Sequence, residues 1–243
     1  MGLLYKGIRG IIRLFSRKWE TVWEEPYDGQ RAVFCPNHAG AMGPISMCAH
    51  FELTDSCYSW MNNGMMEAKL VPAYVRQDYW WEPGCKLEPL YTATLPYIAA
   101  AIIPPILRSA PGVPVYHDNR VIKTFRRSIE LLKEGKNLII FTEQPAGFGE
   151  SAAELNKGWL QIGPMAWRTL KVPLKFYPVH IDLKKRRITV AKPVQYNPEV
   201  SLKEQEDGIL SAIKQGISTG QFEDEKSIAA ENAAMGCDSV KSE

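Results

Sequence analysis

A histidine that follows a short apolar run is the first group in this sequence that could carry out acid–base chemistry. Residues 32–35 are apolar and predict a buried strand, which ends at Pro36 because proline has no N–H for a sheet ladder. Asn37 and His38 come next, before small residues that leave room for a substrate to approach the backbone. Because imidazole titrates near neutral pH, His38 is a candidate general base. The alternative is a histidine that only stabilises a turn.

The elements that would position this histidine are strands and helices further along the chain. Residues 112–117 predict a strand, and residues 137–141 predict a second buried strand. Between them an apolar stripe at helical spacing predicts a helix, formed by Ile122, Phe125, Ile129 and Leu132. Strand, helix and strand at this spacing form a βαβ unit, which requires parallel strands. Residues 176–181 and 187–191 predict two more strands. We therefore expect an α/β fold with a mostly parallel central sheet flanked by helices.

Composition argues against several classes of function. The formal net charge of +2 gives no general case for nucleic-acid binding. The five cysteines include no C-x-x-C pair and no Cys/His ligand spacing, which predicts free thiols in a reducing compartment. The sequence has no G-x-S-x-G elbow, phosphate loop or dinucleotide fingerprint. We therefore expect neither a metal site nor a bound cofactor.

Two segments are candidates for contact with a membrane. Residues 2–18 predict a basic amphipathic helix that could lie in the headgroup region of an anionic bilayer, or pack on the domain with its basic face in water. Charges interrupt its apolar residues, which argues against a signal peptide or a spanning helix. Residues 89–107 form a 19-residue run without a charge. The three prolines inside this run, Pro96, Pro104 and Pro105, disfavour a straight spanning helix, so we expect a core helix near residues 97–103 or a shallow membrane-contacting element.

Two further segments are less regular. Residues 52–88 have no sustained period and are interpreted as an insertion. Residues 201–218 predict a weak amphipathic helix, and the polar tail from about residue 220 predicts disorder.

Four short blocks occur in a fixed order between residues 30 and 195. The first is Asn37-His38, with Gly43 after four intervening residues, and the second is a strand that begins at Gly112 and reaches His117, with Arg120 nearby. The third is the run Phe-Thr-Glu-Gln-Pro-Ala over residues 141–146, followed by Lys157-Gly158. The fourth is Val-Pro at residues 172–173 before a strand with a second proline.

In this order the blocks resemble those of the 1-acylglycerol-3-phosphate (glycerolipid) acyltransferase superfamily. The chain would be a divergent member, because Gly43 stands where the family has Asp and the third block lacks Gly-Thr-Arg. The resemblance implies three parts: an amphipathic N-terminal helix (1–25), an acyltransferase-like α/β domain (26–200), and a C-terminal helix with a disordered tail (201–243).

The resemblance also implies a function in phospholipid biosynthesis. An acyl group would move from acyl-CoA or an acyl carrier protein to a hydroxyl of a lysophospholipid or related glycerolipid, at the cytoplasmic face of a membrane. His38 would be the base, with Asp118 or Glu143 replacing the missing carboxylate. The implied substrate-binding residues are Asn37, Gly43, His117, Asp118, Arg120, Glu143, Gln144 and Lys157.

Two other functions remain open at this point. Gly43 in the Asp position favours a catalytically inactive relative that binds lipid, and a thioester or lipid hydrolase is a weaker possibility. His50 and Asp55 also have the family's His-to-Asp interval, but they lack the preceding Asn and strand, so we interpret this pair as a coincidence.

Overall fold

The computed structural model describes residues 1–39, 42–77, 81, 84–142 and 157–218, which fold around a single central sheet. Its strands are β1 (Glu20–Trp23), β2 (Ala32–Pro36), β3 (Cys57–Asn62), β4 (Gly112–Val115), β5 (Asn137–Ile139), β6 (Lys175–Asp182), β7 (Arg187–Val190) and β8 (Val194–Gln195). The helices are α1 (Leu3–Phe15), α2 (Met42–His50), α3 (Val71–Gln77), α4 (Glu88–Ser109), α5 (Val121–Lys133), α6 (Ile162–Leu170) and α7 (202–218). Short 3-10 turns occupy Thr54–Ser56, Asn63–Met66 and Gly158–Gln161.

Strand β2 lies in the interior of the sheet. The strand order is β1-β7-β6-β2-β5-β3-β4, with β8 paired to β6. Pairing is parallel except where β6 meets β7 and β8. Every residue of β2 is buried, because helices or side chains cover both faces of this strand. The predicted α/β class and mostly parallel sheet are confirmed.

Two hydrophobic cores cover the faces of the sheet. Successive side chains of a strand point to opposite faces, so Val33 and Cys35 enter one core while Phe34 enters the other. Helices α5, α6 and α7 pack on the first face, where Leu132 and Ile213 are fully buried. Aromatic residues cover the second face together with Met47 of α2. This packing fixes β2, and therefore the residues that follow it, on both sides.

The segment interpreted as an insertion contributes a strand to the sheet. Residues 57–62 form β3, which lies between β5 and β4 and pairs in parallel with both. Trp60 of β3 donates a hydrogen bond to the Ser128 hydroxyl of α5 at 2.9 Å. The interpretation of residues 52–88 as an insertion is therefore wrong. The predicted βαβ unit of β4, α5 and β5 is present, and β3 lies between its two strands.

The N-terminal and C-terminal segments both pack as parts of the central domain. The predicted N-terminal segment (1–25) contains the strand β1, which pairs with β7, as well as α1. The predicted helix at residues 201–218 is confirmed as α7, but it is an integral part of the main core. The polar tail from residue 220 lies outside the described residues.

Helix α4 runs without a break through the three prolines that were expected to interrupt it. It spans 22 residues, and by length and composition it is apolar enough to cross a membrane. A proline removes one hydrogen bond but not the helical backbone conformation, and packing against Val71 and Val75 of α3 holds this helix together. Only Pro96, Ala99 and Pro104 of its described side chains are buried, so the interpretation as a core helix is wrong.

Candidate functional site

Asn37 extends the pairing of β2 beyond Pro36 by means of its side chain. Its backbone N–H donates to the Val179 carbonyl at 3.1 Å. Its side-chain oxygen accepts from the Ile181 N–H at 2.7 Å, and its amide nitrogen donates to the Ile181 carbonyl at 3.4 Å. The carboxamide therefore replaces one peptide unit of the ladder with β6. Asn37 was predicted to contact substrate, but its side chain instead fixes the chain where His38 leaves the sheet.

His38 lies at the carboxyl end of β2 and is half-buried. Its ring meets the Phe141 ring edge-on, with centroids 5.5 Å apart and an angle of 63° between the planes. Phe141 follows β5, the parallel neighbour of β2, and parallel strands bring their carboxyl ends to the same edge of a sheet. The first and third sequence blocks therefore meet at this edge, as expected for a site assembled from both.

Gly43 packs directly against the backbone of His38. A Cβ placed on Gly43 would lie 2.0 Å from the His38 carbonyl oxygen and 2.8 Å from its carbonyl carbon. Ala39 adopts a φ of +42°, a left-handed conformation that few residues other than glycine accept. The turn after β2 is therefore tight, and position 43 has no space for the aspartate of the family's first block.

The residues of the second block lie at the edge of the sheet. His117, Asp118 and Arg120 are exposed and follow β4, which lies three strands from β2. At about 4.8 Å per strand, this separates the two strands by roughly 14 Å.

Asp118, one of the two carboxylates proposed to replace the motif aspartate, is already paired. Arg120 donates to both oxygens of Asp118, at 2.8 to 3.0 Å, and lies over the Tyr116 ring. These hydrogen bonds hold the pKa of Asp118 below its usual range. Asp118 therefore neutralises Arg120, and its strand is too distant for it to orient His38.

Lys157 supports the C-terminal helix. Its ammonium group lies 2.6 Å from an Asp207 oxygen and 3.7 Å from a Glu206 oxygen, both on α7. The hydrogen bond that Lys157 donates to the Asp207 carboxylate is the main reason that the pKa of Lys157 is raised. Glu143 and Gln144, the remaining predicted site residues, lie outside the described residues.

Thr142 is a polar residue at this edge that the sequence analysis did not select. It follows Phe141 and is 1 % exposed, and its hydroxyl has no hydrogen-bond partner among the described residues. A buried hydroxyl without a partner is uncommon. The signal in the sequence was its position in the third block, between Phe141 and Glu143.

His50 and Asp55 both serve the N-terminal segment. The His50 ring stacks on Trp19 with centroids 5.0 Å apart, and its Nε2 lies 3.2 Å from the Ser16 hydroxyl. Burial, with a smaller effect from Arg13, lowers the pKa of His50. Asp55 pairs with Arg9 of α1. Neither residue is therefore placed as part of a catalytic His-Asp pair. In the described ranges, no three His, Cys, Asp or Glu side chains converge as metal ligands.

Comparison with known proteins yields a distant structural likeness. No family model and no curated protein matches the sequence. Among solved structures, the chain is similar to the 1-acyl-sn-glycerophosphate (LPA) acyltransferase PlsC from Thermotoga maritima, with 17% sequence identity and a TM-score of 0.48. The match covers 90% of this chain and 78% of that one. A likeness this distant does not assign a function or a site residue, so the proposals below depend on the chain's own geometry.

Proposed function

We propose that this protein is an O-acyltransferase that uses His38 as its general base. The observation that carries the proposal is the display of His38 at the carboxyl edge of an interior parallel strand. Asn37 anchors the backbone on one side of this histidine, and Phe141 contacts its ring on the other. Ligands of open α/β sheets bind at this edge. A fixed, half-buried imidazole there is suited to removing a proton from a bound hydroxyl.

The proposed reaction needs only the histidine and two substrates. A ring nitrogen of His38 takes the proton of the acceptor hydroxyl while its oxygen attacks the carbonyl carbon of an acyl thioester. The tetrahedral intermediate collapses, the carbon–sulfur bond breaks, and the thiolate takes the proton from the imidazolium. The products are an ester and a free thiol. The donor is acyl-CoA or an acyl carrier protein, and Glu143 and Gln144, next in sequence after Thr142, are the proposed contacts of the acceptor.

Two ion pairs bear on the choice of acceptor. Arg120 and Lys157 are among the residues implied to bind substrate, and both are cations that could attract a phosphate, but both are paired with carboxylates. A phosphate monoester would have to displace these carboxylates. We therefore propose a lysophospholipid or related glycerolipid whose recognition does not depend on either cation. The enzyme would act as a peripheral or monotopic protein at the cytoplasmic face of the membrane.

The test is thiol release from a long-chain acyl-CoA by the purified full-length protein. The assay is run without acceptor and with a panel of lysophospholipids and glycerol phosphate. We expect acceptor-dependent release that His38→Ala abolishes, while its thermal unfolding stays as in the wild type. His50→Gln is the matched control, since this histidine lies at the far end of α2 and should leave release unchanged. Equal release by His38→Ala would refute the assignment of the base.

A catalytically inactive, lipid-binding relative is the second candidate. It is favoured by Gly43, because a carboxylate cannot occupy this position and the other described candidate, Asp118, pairs with Arg120. In the protease case, loss of the orienting carboxylate lowers the rate by on the order of 10⁴. This alternative predicts binding of lysophospholipid without thiol release from either acyl-CoA or acyl carrier protein. Release that needs no acceptor would instead indicate a hydrolase.

A further inference from the structure

Helix α1 packs on the domain through its polar face. Tyr5 is buried and its hydroxyl donates to the Cys48 carbonyl at 3.2 Å. Arg9 donates to both oxygens of Asp55, at 2.6 and 3.2 Å, and its side chain is only 11% exposed. Arg13 Nε donates to the Ala49 carbonyl at 2.5 Å. The helix therefore packs on the domain, as one of the two predicted alternatives had it. Arg9 lies in the contact and largely out of water, whereas Arg13 donates one hydrogen bond and remains exposed.

The opposite face of α1 is apolar and exposed. At 100° per residue, five apolar side chains fall within about a third of the helix circumference. We call them the α1 apolar face: Leu3, Leu4, Ile11, Leu14 and Phe15. Leu3, Phe15 and Leu14 are 88%, 83% and 78% exposed. An ordinary surface helix buries such a stripe against the core, whereas here hydrogen bonds and an ion pair turn it outward.

Exposed apolar residues continue on the neighbouring helix. The N–H of Gly2 donates to the Ser109 carbonyl at 2.8 Å, and the N–H of Tyr5 donates to the Ser109 hydroxyl at 3.0 Å. These bonds join the start of α1 to the end of α4. Helix α4 leaves Leu90, Tyr97, Ile98 and Ile102 exposed. Exposed apolar surface on this scale marks an interaction site.

The charge of the N-terminal segment selects the kind of partner. Residues 1–18 contain five basic residues and no acidic residue. Lys6, Arg17 and Lys18 are exposed, and a cavity of about 270 Å³ beside α1 is lined by Lys6, Arg9 and Arg13 with Asp55 as its carboxylate. Apolar side chains flanked by lysine and arginine match the layered chemistry of an anionic bilayer, with acyl chains below phosphates.

We propose that α1 lies on an anionic phospholipid bilayer, with its apolar face among the acyl chains and Lys6, Arg17 and Lys18 at the level of the phosphates. This inference deepens the proposed function by naming the surface at which its lipid substrates are met. It rests on that function only for the identity of those substrates, because the binding itself needs no turnover.

The experiment measures co-sedimentation of the full-length protein with phosphatidylcholine vesicles, with and without phosphatidylglycerol. We expect binding to the anionic vesicles and much weaker binding to phosphatidylcholine alone. The double variant Leu14→Glu/Phe15→Glu should bind about tenfold more weakly or worse, because each exposed apolar side chain otherwise enters the acyl region. Leu183→Glu, on the exposed turn between β6 and β7, is the matched control and should bind like the wild type.

A second pair of variants separates local charge from net charge. Lys6→Glu and Lys184→Glu change the net charge equally, but Lys184 lies on the turn after β6. Lys6→Glu should weaken binding by on the order of tenfold, and Lys184→Glu should not.

Four results would overturn the proposal: wild-type binding by the double variant, equal weakening by the control variants, equal binding to neutral vesicles, or a wild-type dimer that the double variant abolishes. The last would show that a second copy covers this face. Binding through α1 without thiol release would uphold this inference and refute the proposed enzyme.

Discussion

Replacement of Gly43 by alanine tests the tight turn that displays His38. The added Cβ would stand 2.0 Å from the His38 carbonyl oxygen, so the backbone must move by roughly 1.4 Å to reach the 3.4 Å of an ordinary contact. Overpacking by a single methyl group costs about 1–3 kcal/mol, and more where the neighbour is backbone that cannot rotate away. We expect Gly43→Ala to lose about 3 kcal/mol of the free energy of unfolding, or roughly 6–12 °C in melting temperature for a chain of this size.

Urea unfolding measured by circular dichroism gives the free energy directly. The control is Gly208→Ala, at an exposed position in α7 where no atom lies within 4 Å of the added Cβ. This control should be neutral or more stable by up to about 1 kcal/mol, because alanine is the better helix former. Gly43→Asp, which restores the family's aspartate, should be at least as unstable as Gly43→Ala and should gain no acyl transfer. A stable Gly43→Asp variant with raised activity would show that the turn opens freely and that the close packing on His38 is irrelevant.

Three further predictions concern stability and reactivity. Asn37→Ala should lower the free energy of unfolding, measured in urea, by about 1–3 kcal/mol, because it leaves the Ile181 N–H without its partner. An unchanged free energy of unfolding would show that the hydrogen bonds of the Asn37 side chain do not stabilise the fold. Asp28 accepts a hydrogen bond from Lys175 at 2.5 Å, which lowers the pKa of Asp28 below its usual 3.8. The pair therefore stabilises the fold fully above that pH and loses its effect as the pH falls through the lowered pKa. Asp28→Asn should cost at most about 1 kcal/mol at pH 7, and less as the pH is lowered below 3.8; a cost that stays constant on acidification would contradict this sign. Burial raises the pKa of the Cys35 thiol, and it raises the pKa of the Cys57 thiol to about 12. Iodoacetamide should therefore label these thiols only after unfolding, which peptide mass spectrometry would detect. Rapid labelling of the native protein would contradict their burial.

The sequence alone predicts the elements whose periodicity matches their burial. Strand β2 is a continuous apolar run because both its faces are covered, and α5 shows a clear stripe because only one of its faces packs. Strand β3 was missed because Cys57–Asn62 mixes polar and apolar residues and its outer part is only half-buried. The prolines of α4 wrongly predicted a break in this helix, because tertiary packing offsets the hydrogen bonds that they remove.

The sequence predicts those parts of the site that depend on neighbouring strands, and it misses those that depend on contacts between residues far apart in the chain. His38 and Phe141 meet because their strands are parallel neighbours, which block order anticipates. The orientation of α1 depends on Asp55, 46 residues beyond Arg9, and an amphipathic pattern does not say which face docks. The pairing of Arg120 with Asp118 is local, but the placement of two strands, β5 and β3, between β2 and β4 is a property of the topology alone.

Strand β2 pairs with strands that lie far from it in the sequence, and this affects how the protein folds while the ribosome makes it. Ala32 bonds to Asn137 across 105 residues, and Asn37 bonds to Ile181 across 144. At about 5–20 residues per second, the ribosome needs on the order of ten seconds to supply both neighbouring strands. During that interval β2 is an apolar strand with two open edges, which is a template for aggregation. During synthesis β2 therefore lacks a complete set of hydrogen-bonded neighbours until β6 emerges, and the edge that carries His38 is completed among the last parts of the sheet.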